Sequence, residues 1–171
     1  GLGRSEAARE LLERVLDAGC DLPLLLDADA LNLIAADGEL AAALGTRSAP
    51  VVLTPHPAEA ARLLGCGAAE VQADRVAAAL ELAARHRATV VLKGCGSVVA
   101  TPAGEWFINT SGNPGLATAG SGDVLSGLAV ALFHGLGGSV EGHYMRRAAA
   151  LFHAAGHTVV AVNHRGAGAG R

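Results

Sequence analysis

The chain has 171 residues with a formal net charge of −3, and 51% of them are hydrophobic, 17% charged and 3% aromatic. That length fits one domain with a core of Ala, Val and Leu, and the composition excludes a disordered chain. It carries no basic run and few aromatics, which argues against a nucleic-acid surface or a base-stacking channel.

The pattern then alternates between helix and strand. Residues 5–18 place Leu11, Leu12, Val15 and Leu16 at helical spacing, with Ser5 as N-cap and Gly19 as stop. PLLLD, residues 23–27, is a short apolar run that predicts a strand buried on both faces and ending in a carboxylate. A short helix begins at Ala30, and PVVLT, residues 50–54, predicts a second buried strand. A helix over 57–65 has Pro57 in its first turn and Gly65 at its end. Residues 69–86 predict one long amphipathic helix, and TVVL, residues 89–92, a third buried strand ending at Lys93-Gly94. SVVAT and EWFIN flank Gly104 as a hairpin, a glycine-rich loop follows, and helices are predicted over about 122–134 and 141–160.

Strands separated by helices predict an α/β fold with a parallel sheet. Ligands of such sheets bind at the carboxyl ends of the strands. The polar residues fall there: Asp27 and Asp29, then Thr54-Pro55-His56, then Lys93-Gly94. No apolar run reaches membrane-spanning length, and the opening residues show no signal-peptide pattern, so a cytoplasmic location is expected. Cys20, Cys66 and Cys95 are odd in number and far apart, which predicts reduced thiols rather than a disulfide or a metal site.

Four segments can carry chemistry. In 120-GSGD-123, Gly120, Ser121 and Gly122 open backbone N–H groups at a helix start to an anion such as a phosphoryl group. Asp123 behind them can accept a proton from an attacking hydroxyl. The purely structural alternative is a tight turn with Asp123 complementing the helix dipole. In 93-KGCGS-97, a cation, two glycines and a hydroxyl at a strand end suit nucleotide phosphates or ribose, and the alternative is a hairpin turn. Cys95 reads as a small filler, since no partner beside it would activate a thiol. His56 can bond a polar substrate, and Glu59 can reach Mg²⁺ through water or simply offset the dipole of its helix. Asp29 can be the N-cap of the next helix. Among 13 cationic residues Lys93 is the single Lys, which points to a need for an ammonium there.

The order of these segments carries more than any one of them. DADALN, LTPHPAE-x-x-RLLG, VVLKGxGS and NxSGNPGLATAGSGDVLSG together resemble the ADP/ATP-dependent NAD(P)H-hydrate dehydratases, over about residues 1–138. The resemblance implies a ribokinase-like three-layer αβα sandwich with a mostly parallel sheet, here N-terminally incomplete. It implies a carbon-oxygen lyase that repairs hydrated NADH and NADPH by phosphorylating the added hydroxyl and eliminating phosphate. ADP or ATP would be the co-substrate and Mg²⁺ the metal. By motif, Asp123 resembles the catalytic base and Gly120, Ser121 and Gly122 the anion hole. Lys93, Gly94, Cys95, Gly96 and Ser97, with Gly112, Asn113 and Gly122, resemble the nucleotide site. Gly3, His56 and Asp123 resemble hydrate-binding positions, and Gly1-Leu2-Gly3 looks like the end of a GPGLG loop. Glu59 stands as the candidate metal residue.

The family's domain is longer at its N-terminus, and residues 139–171 depart from its usual ending, so residues 1–171 read as a single partial domain. Without N-terminal strands such a sheet would present an apolar edge. The expected partners are small molecules only, without nucleic acid or membrane, in a homo-oligomer. Two alternatives are a ribokinase-like kinase of a small alcohol such as a vitamin precursor, and a nucleotide-binding fragment without turnover.

Overall fold

The computed structural model describes residues 2–17 and 23–133. It forms two compact units, Gly1–Thr118 and Ala119–Arg171. In the first unit lie α1 (Glu6–Asp17), β1 (Leu24–Leu26), α2 (Asp29–Ala36), α3 (Gly38–Gly45) and β2 (Val51–Leu53). There follow α4 (Pro57–Leu64), α5 (Ala68–Ala73), α6 (Arg75–His86), β3 (Thr89–Leu92), β4 (Val98–Ala100), β5 (Trp106–Ile108) and a 3₁₀ turn (Pro114–Leu116). In the second unit the described element is α7 (Ser121–Phe133).

The strands form one sheet in the order β1-β2-β3-β4-β5. β1, β2 and β3 are parallel neighbours, and β4 pairs antiparallel with both β3 and β5. Four of the five strands therefore point the same way, and the mixed, mostly parallel sheet expected of the class is present. Both crossovers, β1 to β2 and β2 to β3, join neighbouring strands in one direction. Right-handed crossovers then put α2 through α6 on the same face. On that face the register stacks Leu26, Leu53, Val90 and Ala100 in one row. All four are buried, as are Leu31, Ile34, Leu40, Leu44 and Leu82 from the helices above. Each such Leu contributes about 1.5–3 kcal/mol by leaving water.

Two elements differ from the sequence expectation. The helix over 69–86 is two helices, α5 and α6, broken at Asp74, whose φ of −143° is not helical. The Asp74 side chain accepts the N–H of Ala77 at 2.9 Å and so caps α6. A polar N-cap inside an amphipathic run is invisible to a periodicity count. The spacing also misses α3, which Asp37 starts by accepting from the N–H groups of Glu39 (2.8 Å) and Leu40 (3.2 Å). Arg9 on α1 donates to the same carboxylate at 2.6 Å. That hydrogen bond above all, with the cap N–H groups, holds the Asp37 carboxyl below its usual range.

The remaining boundaries agree to within about two residues. Pro57 is at the start of α4, and Gly65 ends it with φ 74°. The hairpin around Gly104 is present as β4 and β5. Cys66 and Cys95 are free thiols. Gly19, Cys20 and the helix expected over 141–160 lie outside the described residues.

Candidate functional site

The three parallel strands end together. Backbone bonds carry the ladder past their last residues, from Thr54 N–H to the Leu26 carbonyl (3.2 Å) and from Lys93 N–H to the Pro55 carbonyl (2.8 Å). Asp27, His56 and Lys93 are thereby brought to one edge. The Lys93 ammonium lies 2.7 Å from Asp27 Oδ1 and 4.0 Å from Glu59 Oε2. Asp27 Oδ1 also accepts the N–H of Ala28 at 2.9 Å. Glu59 is 5% exposed, so one ammonium holds two carboxylates at the floor of this edge.

His56 and Glu59 form a capping box at the start of α4. Glu59 Oε2 accepts the His56 N–H at 2.8 Å, and His56 Nδ1 accepts from the N–H groups of Ala58 (3.1 Å) and Glu59 (3.4 Å). A ring nitrogen that accepts from the backbone is unprotonated, so a neutral His56 carries its proton on Nε2. That nitrogen faces Glu59 Oε1 at 3.2 Å. Both oxygens of Glu59 are thus engaged within the protein. A direct metal contact would have to compete with these bonds, so the geometry suits Glu59 to a metal ion through an intervening water. Among the described residues, no group of three or more His, Cys, Asp or Glu is arranged to hold a metal ion.

The DAD turn connects β1 to α2. Asp29 is the first helical residue, not the N-cap, and its Oδ2 accepts the N–H of Gly3 at 2.9 Å. The N-cap is Ala28, with φ 50° and ψ −113° and no side-chain cap. A β-carbon in that conformation is strained, a state found where surrounding contacts over-determine the backbone. Asn32, which ends DADALN, donates to the Ala28 carbonyl at 3.0 Å and accepts from Arg62 at 2.8 Å. That pair connects the DADALN and RLLG motifs directly.

Beyond Lys93 the loop turns through Gly94 and Gly96, at φ 151° and 65°. A β-carbon on Gly94 would stand 2.8 Å from Arg75 Nη2. Ser97 closes the loop, donating from Oγ to the Gly94 carbonyl at 3.1 Å and accepting the Gly94 N–H at 3.3 Å. Arg75, the first residue of α6, donates to the Leu92 carbonyl at 3.0 Å and also to the Cys95 carbonyl. Nothing in the sequence marked Arg75, because its partners are backbone carbonyls about 20 residues away. Gly112 adopts φ 120°, and Asn113 Oδ1 accepts the N–H of Gly115 at 2.8 Å, so these two shape an exposed turn.

In the second unit Gly120 stands at φ 85° just before α7, and its carbonyl accepts the Val124 N–H at 3.1 Å. Ser121, Gly122 and Asp123 make up the first helical turn, where Asp123 is exposed. This is the loop-to-helix arrangement in which anions bind N–H groups.

An open α/β sheet with polar strand ends and glycine-rich loops is an architecture that ribokinase-like proteins share. A structure of a ribokinase-like superfamily protein from Enterococcus faecalis matches with a TM-score of 0.60 and 33% identity, covering 73% of this chain and 42% of that one. The family model described as NAD(P)H-hydrate dehydratase matches residues 1–167, and the chain belongs to that family. It is 54% identical over 129 residues to the ADP-dependent (S)-NAD(P)H-hydrate dehydratase of Neisseria meningitidis, covering 75% of this chain. It spans 43% of that relative's length. The Bacillus subtilis ADP/ATP-dependent NAD(P)H-hydrate dehydratase, co-crystallised with ATP/Mg²⁺, matches with a TM-score of 0.67 and 32% identity, over 94% of this chain and 57% of that one.

Proposed function

We propose that this chain is the part of an NAD(P)H-hydrate dehydratase that carries its nucleotide loop and catalytic helix start, within one domain over residues 1–171. The observation that carries this is the gathering of Asp27, His56, Glu59 and Lys93 at three adjacent strand ends, in a chain of this family. The substrates are hydrated NADH or NADPH and a nucleotide, ADP or ATP, in the cytoplasm, with a homo-oligomer as the assembly.

The chemistry follows from the hydroxyl on the reduced ring. Its oxygen attacks the terminal phosphorus of the nucleotide, and the bond from that phosphorus to the bridging oxygen breaks. Asp123 accepts the hydroxyl proton, and Gly120, Ser121 and Gly122 hold the transferring phosphoryl oxygens through their N–H groups. Phosphate then leaves with the ring C–O bond electrons, a proton departs from the neighbouring ring carbon, and the dihydropyridine double bond returns. Residues 94–97, with Gly112, Asn113 and Gly122, hold the nucleotide, next to Lys93. Gly3 and His56 orient the hydrate. Mg²⁺ bound with the nucleotide would supply positive charge at its phosphates. Glu59 would reach it through water only.

Incubation of the 171-residue chain with hydrated NADH, ADP or ATP, and Mg²⁺ tests this. Recovery of reduced-nicotinamide absorbance with stoichiometric release of phosphate is expected. A stable phosphorylated product without recovery would instead assign a small-alcohol kinase, and nucleotide binding alone would assign a fragment without turnover.

A further inference from the structure

The lone lysine does something its place in a phosphate-type loop does not announce. Asp27 and Lys93 end β1 and β3, with β2 between them. Two strand spacings separate them, about 9.6 Å. The Lys93 and Asp27 side chains together span that gap and put the ammonium 2.7 Å from Asp27 Oδ1. On the α4 side it meets Glu59 Oε2 at 4.0 Å, and Glu59 in turn holds the backbone and ring of His56. Among the described residues, the ion pairs of this ammonium join it to two carboxylates, and the Glu59 side chain is only 6% exposed. Removing the ammonium would leave the Asp27 and Glu59 carboxylates without their shared cation, one of them buried, which is strongly unfavourable.

We propose that Lys93 is a positioning residue and not a phosphate ligand: its ammonium straps β1, β2 and β3 together and fixes the DAD turn and the His56 cap. What it positions rests on the dehydratase assignment. The strap itself does not. Nucleotide phosphates are left to the backbone and hydroxyl of residues 94–97.

The test is a double-mutant cycle on the full 171-residue chain with Lys93→Met, Asp27→Asn and both together. Lys93→Arg is a rescue, and Lys93→Gln is the substitute if Lys93→Met does not fold. In urea unfolding, the double variant is expected to be no less stable than the weaker single variant. ADP affinity of Lys93→Met should stay within about threefold of the parent. In the repair assay kcat should fall with the nucleotide KM unchanged, and Lys93→Arg should recover part of kcat. Additive unfolding effects would overturn the proposal. So would an ADP affinity lowered about tenfold in Lys93→Met but untouched in Asp27→Asn. If the parent neither binds ADP nor repairs cofactor, the functional assignment fails, and the unfolding cycle alone decides the strap: coupling supports it and additivity overturns it.

Discussion

Arg75→Met removes the latch that ties α6 to the loop after β3. The guanidinium donates to the carbonyls of Leu92 and Cys95, and the shape of the methionine stem is retained. A hydrogen bond to a charged group contributes about 1.5–3 kcal/mol. The Leu92 carbonyl is partly buried, so its bond carries most of the effect, while water replaces the Arg75 contact at exposed Cys95. Arg75 Nε is buried without a partner among the described residues, and that penalty disappears with the side chain. The net loss of stability is therefore about 2 kcal/mol, in the lower half of the range for one such bond. Loop 93–97 would also lose its hold at two carbonyls, and ADP affinity should fall about tenfold, or 1.4 kcal/mol. Urea unfolding and titration calorimetry with ADP read the two effects separately. Gly94→Ala should act in the same direction, since its β-carbon would push on Arg75 Nη2 from 2.8 Å. The part of its effect that comes from that contact should vanish in the Arg75→Met background, and the strain of a β-carbon at φ 151° should remain. Loss of stability with unchanged ADP affinity would refute the assignment of this loop to the nucleotide. No loss of either would refute the latch.

His86 is buried, its Nε2 has no partner among the described residues, and burial, reinforced by Arg85, lowers its pKa. The folded state therefore favours the neutral ring. Stability should be level above the unfolded value of about 6.5, fall as pH drops from there to the lowered folded pKa, and level off below it. Urea midpoints across that range should lose this slope in His86→Leu. Ala28→Gly should relieve the strained turn and raise stability by about 1 kcal/mol in urea unfolding. The same change should lower repair activity, because the turn then holds Asp27 and Asp29 less firmly.

Much of this was legible in the sequence because it is local. The runs PLLLD, PVVLT and TVVL specify strands by their apolar continuity, although only β2 is buried at every residue, β1 and β3 being partly half-buried. Pro57 and Gly65 bracket α4 through backbone preferences that need no partner. The GSGD segment shows itself as glycines before an apolar helix. What stayed hidden depends on distant groups. Asp74 interrupts a helical pattern by offering its own backbone an alternative cap. Asp29 leaves the cap to Ala28 because its carboxylate is engaged by Gly3, 26 residues away. Lys93 could be singled out as a lone lysine, yet its partner Asp27 lies 66 residues earlier and becomes visible only when three strands are aligned. His56 and Glu59 were picked out as functional candidates, and the structure shows them bonded first to each other.

The measurement closest to the central claim is the rate at which hydrated NADH regains reduced-nicotinamide absorbance in the presence of ADP and Mg²⁺, for the parent chain and for Asp123→Asn. The account predicts recovery by the parent, and loss of nearly all rate in Asp123→Asn with ADP affinity preserved. Recovery at an undiminished rate in Asp123→Asn, or equal losses of rate and ADP affinity, would contradict the role of Asp123 as the base.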